Sequence, residues 1–174
     1  MSANHAAFNL IFRFVENYVS PIAGRISSQR HVMAIRDGFI SAMPFMIVGS
    51  FLLVFAYPPF SPDTTWGFAR AWLDMAKQFE GQILTPFDMT MGVMSLYICA
   101  AIAYNLGKHY VKTHQLDPFM CAMLSLMAFL LVAAPKTKGA LPVDSLGGTG
   151  IFTAILVAIY CVEMMRFLKA HNIG

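Results

Sequence analysis

Charged residues are scarce in this chain, and four long stretches contain none. Asp, Glu, Lys and Arg make up 12% of the 174 residues, about half of the roughly 25% found in an average soluble domain. The uncharged stretches are residues 38–62, 89–107, 118–135 and 145–162. A hydrocarbon core about 30 Å thick is crossed by about 20 apolar residues in a helix. The chain is therefore predicted to be an all-α integral membrane protein.

The sequence also lacks the patterns of several functional classes. It has three cysteines and no Cys-x-x-Cys pair, which excludes the usual zinc and disulfide frameworks, so Cys99, Cys121 and Cys161 are interpreted as apolar packing residues. A formal net charge of +3 is too small for nucleic-acid binding. Arg13 and Glu16 interrupt the first apolar segment and no basic residue precedes it, so no cleavable signal peptide is expected.

The uncharged stretches predict about four transmembrane helices, near residues 38–58, 88–107, 118–135 and 146–167. Two further helices are predicted to be amphipathic. The first, residues 6–26, would lie in the membrane interface or pack on the cytoplasmic face of the protein. The second, residues 66–84, would lie at the outer face with its tryptophans at headgroup level. Thr85-Pro86 is expected to separate it from the next span, and Pro44 to bend or break the first span.

The basic residues predict the orientation in the membrane. Cytoplasmic loops carry an excess of Lys and Arg, and eight such residues fall on the side that holds both termini, against four on the other side. Both termini are therefore predicted to be cytoplasmic. The eight are Arg13, Arg25, Arg30, Arg36, Lys108, Lys112, Arg166 and Lys169, and the four are Arg70, Lys77, Lys136 and Lys138. Lys108, His109, Lys112 and His114 are placed in the loop between the second and third spans, and the loop KTKGALPVD follows the third span.

Small residues recur at every fourth position on two of the predicted spans. Such rows let helix backbones approach closely in lipid, so both are predicted to make helix–helix contacts. The rows are Ser95, Cys99, Ala103 and Gly107 on the second span, and Gly150, Ala154 and Ala158 on the fourth.

Reactive chemistry is missing from the predicted spans. Ionisable groups inside a membrane usually mark proton, ion or substrate paths, yet no charged residue lies in the middle of any span. Glu163, at the cytoplasmic end of the fourth span, is interpreted as an interfacial ion-pair partner of Arg166. LGGTG (146–150) lacks the Lys-Ser/Thr and the preceding strand of a phosphate-binding loop, and is interpreted as a flexible helix start. The histidines, all placed in termini or loops, are His5, His31, His109, His114 and His171.

Four segments, in order, resemble the membrane permease (IIC) components of the bacterial sugar phosphotransferase system, closest to the lactose, cellobiose and diacetylchitobiose branch. They are QRHVMAIRDGFISAMPFMIVGSF (29–51), AIAYNLGKHY (101–110), DPFMCAMLSLMAFLL (117–131) and LGGTGIFTAILVAIYCVEMMRFL (146–168). The resemblance implies a multi-pass protein of the bacterial cytoplasmic membrane that moves a β-linked disaccharide inward. A partner IIB protein, supplied by IIA, would phosphorylate the sugar, and the permease would form a homodimer through its N-terminal half.

The chain departs from this family in length. Family members are more than twice as long, and their sugar-binding His and Glu lie in a C-terminal half that no residue here matches. Residues 1–37 are thus expected to form the interfacial segment and residues 38–174 the N-terminal scaffold half of such a permease, inactive alone. The alternative is a stand-alone four-span protein that modulates an intact permease. No catalytic, metal or cofactor residue and no cofactor is predicted, enzyme activity is left open, and the substrate-binding residues are unknown.

Overall fold

The structure, a computed structural model, describes residue 24 and residues 28–133 and 143–171. In this part of the chain every regular element is a helix. The elements are α1 (Arg30–Ala56), α2 (Gly67–Thr90), α3 (Met94–His114), α4 (Pro118–Ala133), α5 (Val143–Leu146), a 3₁₀ turn (Gly148–Gly150) and α6 (Ile151–Ala170). The helix predicted over residues 6–26 lies, apart from Gly24, outside the described residues, and so does most of the predicted loop 136–144.

Three helical segments of the described chain are long and apolar enough to cross a membrane by length and composition: Arg30–Ala56, Gly67–His114 and Gly148–Ala170. The fourth apolar helix, α4, has 16 residues and measures about 24 Å at the usual helical rise. The predicted all-α fold with about four apolar helices is thereby confirmed.

α1 begins earlier than the uncharged stretch does. It starts at Arg30 rather than near residue 38 and runs for 27 residues, with Pro44 inside it. Long basic side chains at a helix end can extend away from the apolar region, so charge does not mark where the helix itself starts. The helix also continues through Pro44, so this proline does not break it.

The separation between α2 and the following span lies at Gly92 and not at Thr85-Pro86. α2 continues through Pro86 to Thr90, and α3 begins only at Met94. The predicted separation at Thr85-Pro86 and the predicted start of the second span near residue 88 are therefore wrong. Just before the proline, the hydroxyl of Thr85 donates to the Gly81 carbonyl within the same helix at 2.8 Å. At Gly92 an added Cβ would overlap the Asp88 carbonyl, so a residue without a side chain is needed where the chain turns.

α3 extends through the segment that was predicted to be a loop. Lys108, His109, Lys112 and His114 lie in its last two turns, so their placement in a loop is corrected. The helix ends where Gln115 adopts a left-handed conformation with φ of 52°. Lysine and histidine are favourable near a helix C-terminus because they complement its dipole, which explains why a charged segment remains helical here.

α3 lies at the centre of the bundle and packs against α1, α4 and α6, while α2 packs on α1. Glycines permit two of these contacts. A Cβ added at Gly38 of α1 would overlap the Ile102 side chain, and one at Gly107 of α3 would lie 3.0 Å from the Pro118 Cα. Both rows of small residues predicted from the sequence are buried, which confirms that they form helix contacts within the chain.

Candidate functional site

Charged and aromatic side chains meet at one end of the bundle, where α1 begins and α3 and α6 end. α1 runs antiparallel to α3, because Gly38 contacts Ile102 while Gly49, further along α1, contacts Met91 before α3 begins. The start of α1 therefore lies beside the end of α3, and α6 brings its last turns to the same place. We call the residues that meet there the Glu163 cluster: Arg30, His31, Tyr110, Glu163 and Arg166.

The carboxylate of Glu163 joins the three helices. Its Oε1 accepts a hydrogen bond from the Tyr110 hydroxyl of α3 at 2.7 Å and lies 2.9 Å from His31 Nε2 of α1. Its Oε2 lies 2.8 Å from a terminal guanidinium nitrogen of Arg166, three residues later on α6. Hydrogen bonds with an ionised partner are stronger than those between neutral groups, so a single side chain connects the ends of α1, α3 and α6.

The Tyr110 ring forms the floor of the cluster. Tyr110 is 1% exposed, and the guanidinium carbons of Arg30 and Arg166 lie 5.6 and 5.2 Å from its ring centroid. These distances are within the range of a cation–π interaction. His114, one turn later on α3, packs edge-on against the same ring at 5.8 Å between centroids. Two positively charged groups are thus held beside a carboxylate that neutralises only one of them.

The sequence located part of this cluster. The predicted Glu163–Arg166 ion pair is present, but the roles of His31 and Tyr110 were missed, because they are 132 and 53 residues from Glu163. No spacing rule links residues that far apart. His31 also lies in α1 and not in a loop, so that placement is corrected. His171 follows α6 and contacts the Phe167 carbonyl through Nδ1 at 3.0 Å, and His5 lies outside the described residues.

LGGTG serves as a packing element between two helix starts. Leu146 ends α5 and its carbonyl accepts a buried hydrogen bond from the Ser95 hydroxyl near the start of α3. A Cβ added at Gly147 would lie 3.3 Å from the Gly92 carbonyl, and one at Gly150 would overlap the Ser145 carbonyl. The glycines therefore allow backbones to touch at the end of the bundle opposite the Glu163 cluster.

The three cysteines pack inside the bundle as free, buried thiols. Cys99 Sγ donates to the Ser125 carbonyl of α4 at 3.6 Å, and Cys121 lies close to Gly107 of α3. These positions agree with the interpretation of the cysteines as packing residues.

Taken together, the geometry is that of a helix clamp. At one end of α3, Tyr110 donates to Glu163 of α6 and contacts Arg30 of α1 through its ring. At the other end, the buried Ser95–Leu146 hydrogen bond holds the helix in place. Hydrogen bonds in a low-dielectric interior are stronger than in water, so these contacts favour a single arrangement of the helices.

Comparisons with known proteins place this arrangement in a family. The sequence model described as "Phosphotransferase system, EIIC" matches residues 36–174. The chain is similar to the "PTS system cellobiose-specific EIIC component" of Geobacillus stearothermophilus, at 33% identity over 92% of this chain and 37% of that protein. It is also similar to the "Lichenan permease IIC component" of Bacillus subtilis (strain 168), at 33% identity over 95% of this chain and 38% of that protein.

A solved structure supports the same relationship. The crystal structure of the transporter ChbC, the IIC component from the N,N'-diacetylchitobiose-specific phosphotransferase system, matches with a TM-score of 0.73 and 34% identity. The match covers 89% of this chain and 37% of ChbC, so the chain spans well under half the length of these relatives. Because the family model covers most of its residues and the helices match those of a solved member, this chain belongs to the EIIC family of phosphotransferase-system membrane components.

Proposed function

We propose that the chain forms the N-terminal scaffold part of an EIIC sugar permease that carries β-linked disaccharides such as cellobiose or diacetylchitobiose. The proposal is based on the joint match to ChbC in sequence and helix arrangement, which covers 37% of the length of ChbC. In the proposed system the sugar moves inward and is phosphorylated through the partner proteins IIB and IIA. The substrate site belongs to the remaining part of the permease, and this chain alone does not transport.

The proposed domain division follows the sequence prediction. Residues 1–37 are proposed as an interfacial segment and residues 38–174 as the membrane scaffold, with the boundary inside α1, whose first two turns contain Arg30, Arg36 and Asp37. The end of the bundle that holds the Glu163 cluster is proposed to face the cytoplasm, together with both chain termini, in the bacterial cytoplasmic membrane. Supporting this orientation, the ends of α1, α3 and α6 carry six Lys and Arg residues, Arg30, Arg36, Lys108, Lys112, Arg166 and Lys169, and positive residues remain on the cytoplasmic side.

Homodimerisation through this half is also proposed. The outward face of α1 is apolar and exposed, and it contains a shallow hollow of about 400 Å³ lined by Met43, Met46, Ile47, Ser50, Phe51 and Val54. In a membrane such a face contacts either lipid or another helix. Crosslinking through a cysteine introduced at Ile47 tests the dimer, since only a second copy places two such cysteines within reach of each other.

The transport proposal is tested by uptake of labelled cellobiose and diacetylchitobiose in cells that retain IIA and IIB but lack their own permeases. The chain alone, verified in the membrane, is expected to give no uptake, and co-expression with the remaining part of a related permease is expected to restore it. Uptake by the chain alone would contradict the scaffold assignment. If the chain changes uptake only when an intact permease is present, the modulatory alternative is correct.

A further inference from the structure

The two ends of the bundle differ in charge. Residues 28–37, 108–117 and 163–171, which meet at the Glu163 cluster, each contain two basic residues and one acidic residue. Residues 57–90, toward the opposite end, contain two basic and four acidic residues. The helices between the two ends carry no charge in their middle turns. The end at the Glu163 cluster is therefore positively charged, and the segment 57–90 is negatively charged.

Three carboxylates at the basic end are already engaged. Asp37 pairs with Arg36 at 2.8 Å, Glu163 pairs with Arg166, and Asp117 accepts a hydrogen bond from the Phe119 backbone at 2.9 Å. The remaining cations make no ion pair with any carboxylate of the described residues. These unneutralised cations are Arg30, Lys108, Lys112 and Lys169. An anion that binds at this end has cations available to it without breaking an existing pair.

Arg30 and Arg166 are already oriented. Both guanidiniums rest on the Tyr110 ring, Arg30 is exposed, and the Arg166 side chain is 41% exposed. Arg166 uses one terminal nitrogen for Glu163, so other donors of its planar group remain available. α1 and α6 both pack on α3 but make little direct contact with each other. Guanidinium groups match phosphate oxygens in geometry and charge.

Exposed apolar side chains occur in the same turns as these cations. Val111 of α3 and Met164 and Phe167 of α6 are 41%, 41% and 53% exposed. A ligand that satisfies both the cations and this surface needs an anionic head and an apolar tail. A free phosphate ion or an acidic peptide has only the first.

We propose that the Glu163 cluster and the lysines at the same end of the bundle form a binding site for an anionic phospholipid, whose phosphodiester contacts Arg30 and Arg166 and whose acyl chains lie along α6. Basic surfaces between transmembrane helices are well suited to anionic headgroups. The site connects the lipid to the same side chains that clamp α1, α3 and α6, so the bound lipid strengthens the clamp. The inference is independent of the transported sugar.

The test uses the purified full chain in detergent. The chain is titrated with phosphatidylglycerol or with phosphatidylcholine of the same acyl chains, and the number of bound lipids is measured by native mass spectrometry. Phosphatidylglycerol is expected to bind more tightly than phosphatidylcholine. Arg30→Gln is expected to lower the phosphatidylglycerol affinity about fivefold, as for one basic residue near an anionic surface, and to leave phosphatidylcholine binding unchanged. The matched control, Lys77→Gln, removes an exposed cation from the acidic segment of α2 and is expected to change neither affinity.

Three outcomes would overturn the proposal. The first is equal affinity for the two lipids, and the second is an equal loss from Arg30→Gln and Lys77→Gln, which indicates a general charge effect. The third is complete displacement of phosphatidylglycerol by an equal concentration of inorganic phosphate, which indicates a free-anion site. Should Arg30→Gln fail to fold, Lys108→Gln at the same end and the lipid preference of the unmodified chain decide the question in the same way.

Discussion

Replacing Glu163 tests whether the clamp at the ends of α1, α3 and α6 stabilises the fold. The carboxylate has three partners, of which the Tyr110 hydroxyl is the most buried. A hydrogen bond to a charged group contributes about 1.5–3 kcal/mol. The side chains of His31 and Arg166 are 43% and 41% exposed, so each of these contacts contributes at most about 1 kcal/mol because solvent screens it.

We expect Glu163→Ala to lower the free energy of unfolding by about 2 kcal/mol, mainly through the unpartnered Tyr110 hydroxyl. For a chain of this size that corresponds to a fall in the unfolding midpoint of about 4–8 °C. Glu163→Gln, which keeps one acceptor oxygen for Tyr110, should cost about half as much. The assay is thermal unfolding of the purified chain in a fixed detergent. The matched control is Glu80→Ala, which breaks the exposed hydrogen bond from Tyr57 at 3.0 Å and should leave the midpoint unchanged.

A double-mutant cycle decides whether the contact itself is responsible. Tyr110→Phe removes the hydroxyl and keeps the ring beneath the two arginines. If the bond forms as described, the effects of Tyr110→Phe and Glu163→Ala are not additive and differ from their sum by at least about 0.5 kcal/mol. Additive effects, or a fall from Glu80→Ala as large as that from Glu163→Ala, would refute the reasoning.

Two further predictions use pairs of matched positions and the same unfolding assay. Gly38→Ala should destabilise the chain by about 1–3 kcal/mol, because the added methyl overlaps Ile102. Gly81→Ala, with nothing within 4 Å of its added Cβ, should instead stabilise the chain by about 0.5–1 kcal/mol. Equal effects of the two substitutions would contradict the packing at Gly38. Ser95→Ala should lower the free energy of unfolding by about 1–2 kcal/mol, because it removes the buried hydrogen bond to the Leu146 carbonyl. Ser125→Ala should lower it less, because the Ser125 hydroxyl has no hydrogen-bond partner in the described structure. The reverse order would be inconsistent with the hydrogen bond assigned to Ser95.

Local features of the chain were readable from the sequence. The uncharged stretches predicted the apolar helices because length and hydropathy act within one segment. The Glu163–Arg166 pair was predicted because residues three apart on a helix are neighbours. For the same reason, the rows of small residues indicated which faces of α3 and α6 are buried. Each of these predictions depends on residues within one helix and on nothing outside it.

The errors came from features that depend on other parts of the chain. α1 was started at the first uncharged residue, although the helix begins at Arg30, whose side chain packs on Tyr110 of α3. The turn before α3 was assigned to Thr85-Pro86 because proline is the stronger local signal. The structure instead places it at Gly92, beside the backbone-packed Gly147. Both corrections follow from tertiary contacts that local propensity does not encode.

The distribution of fixed contacts along α3 supports a scaffold role. Ser95 holds the start of the helix to the Leu146 carbonyl, and Tyr110 holds its end to Glu163. Between these points Gly107 allows close contact with α4. A helix restrained at both ends and packed against α1, α4 and α6 has a fixed place in the bundle. This arrangement agrees with the proposed scaffold role, in which the substrate site lies in the residues that the relatives have and this chain does not match.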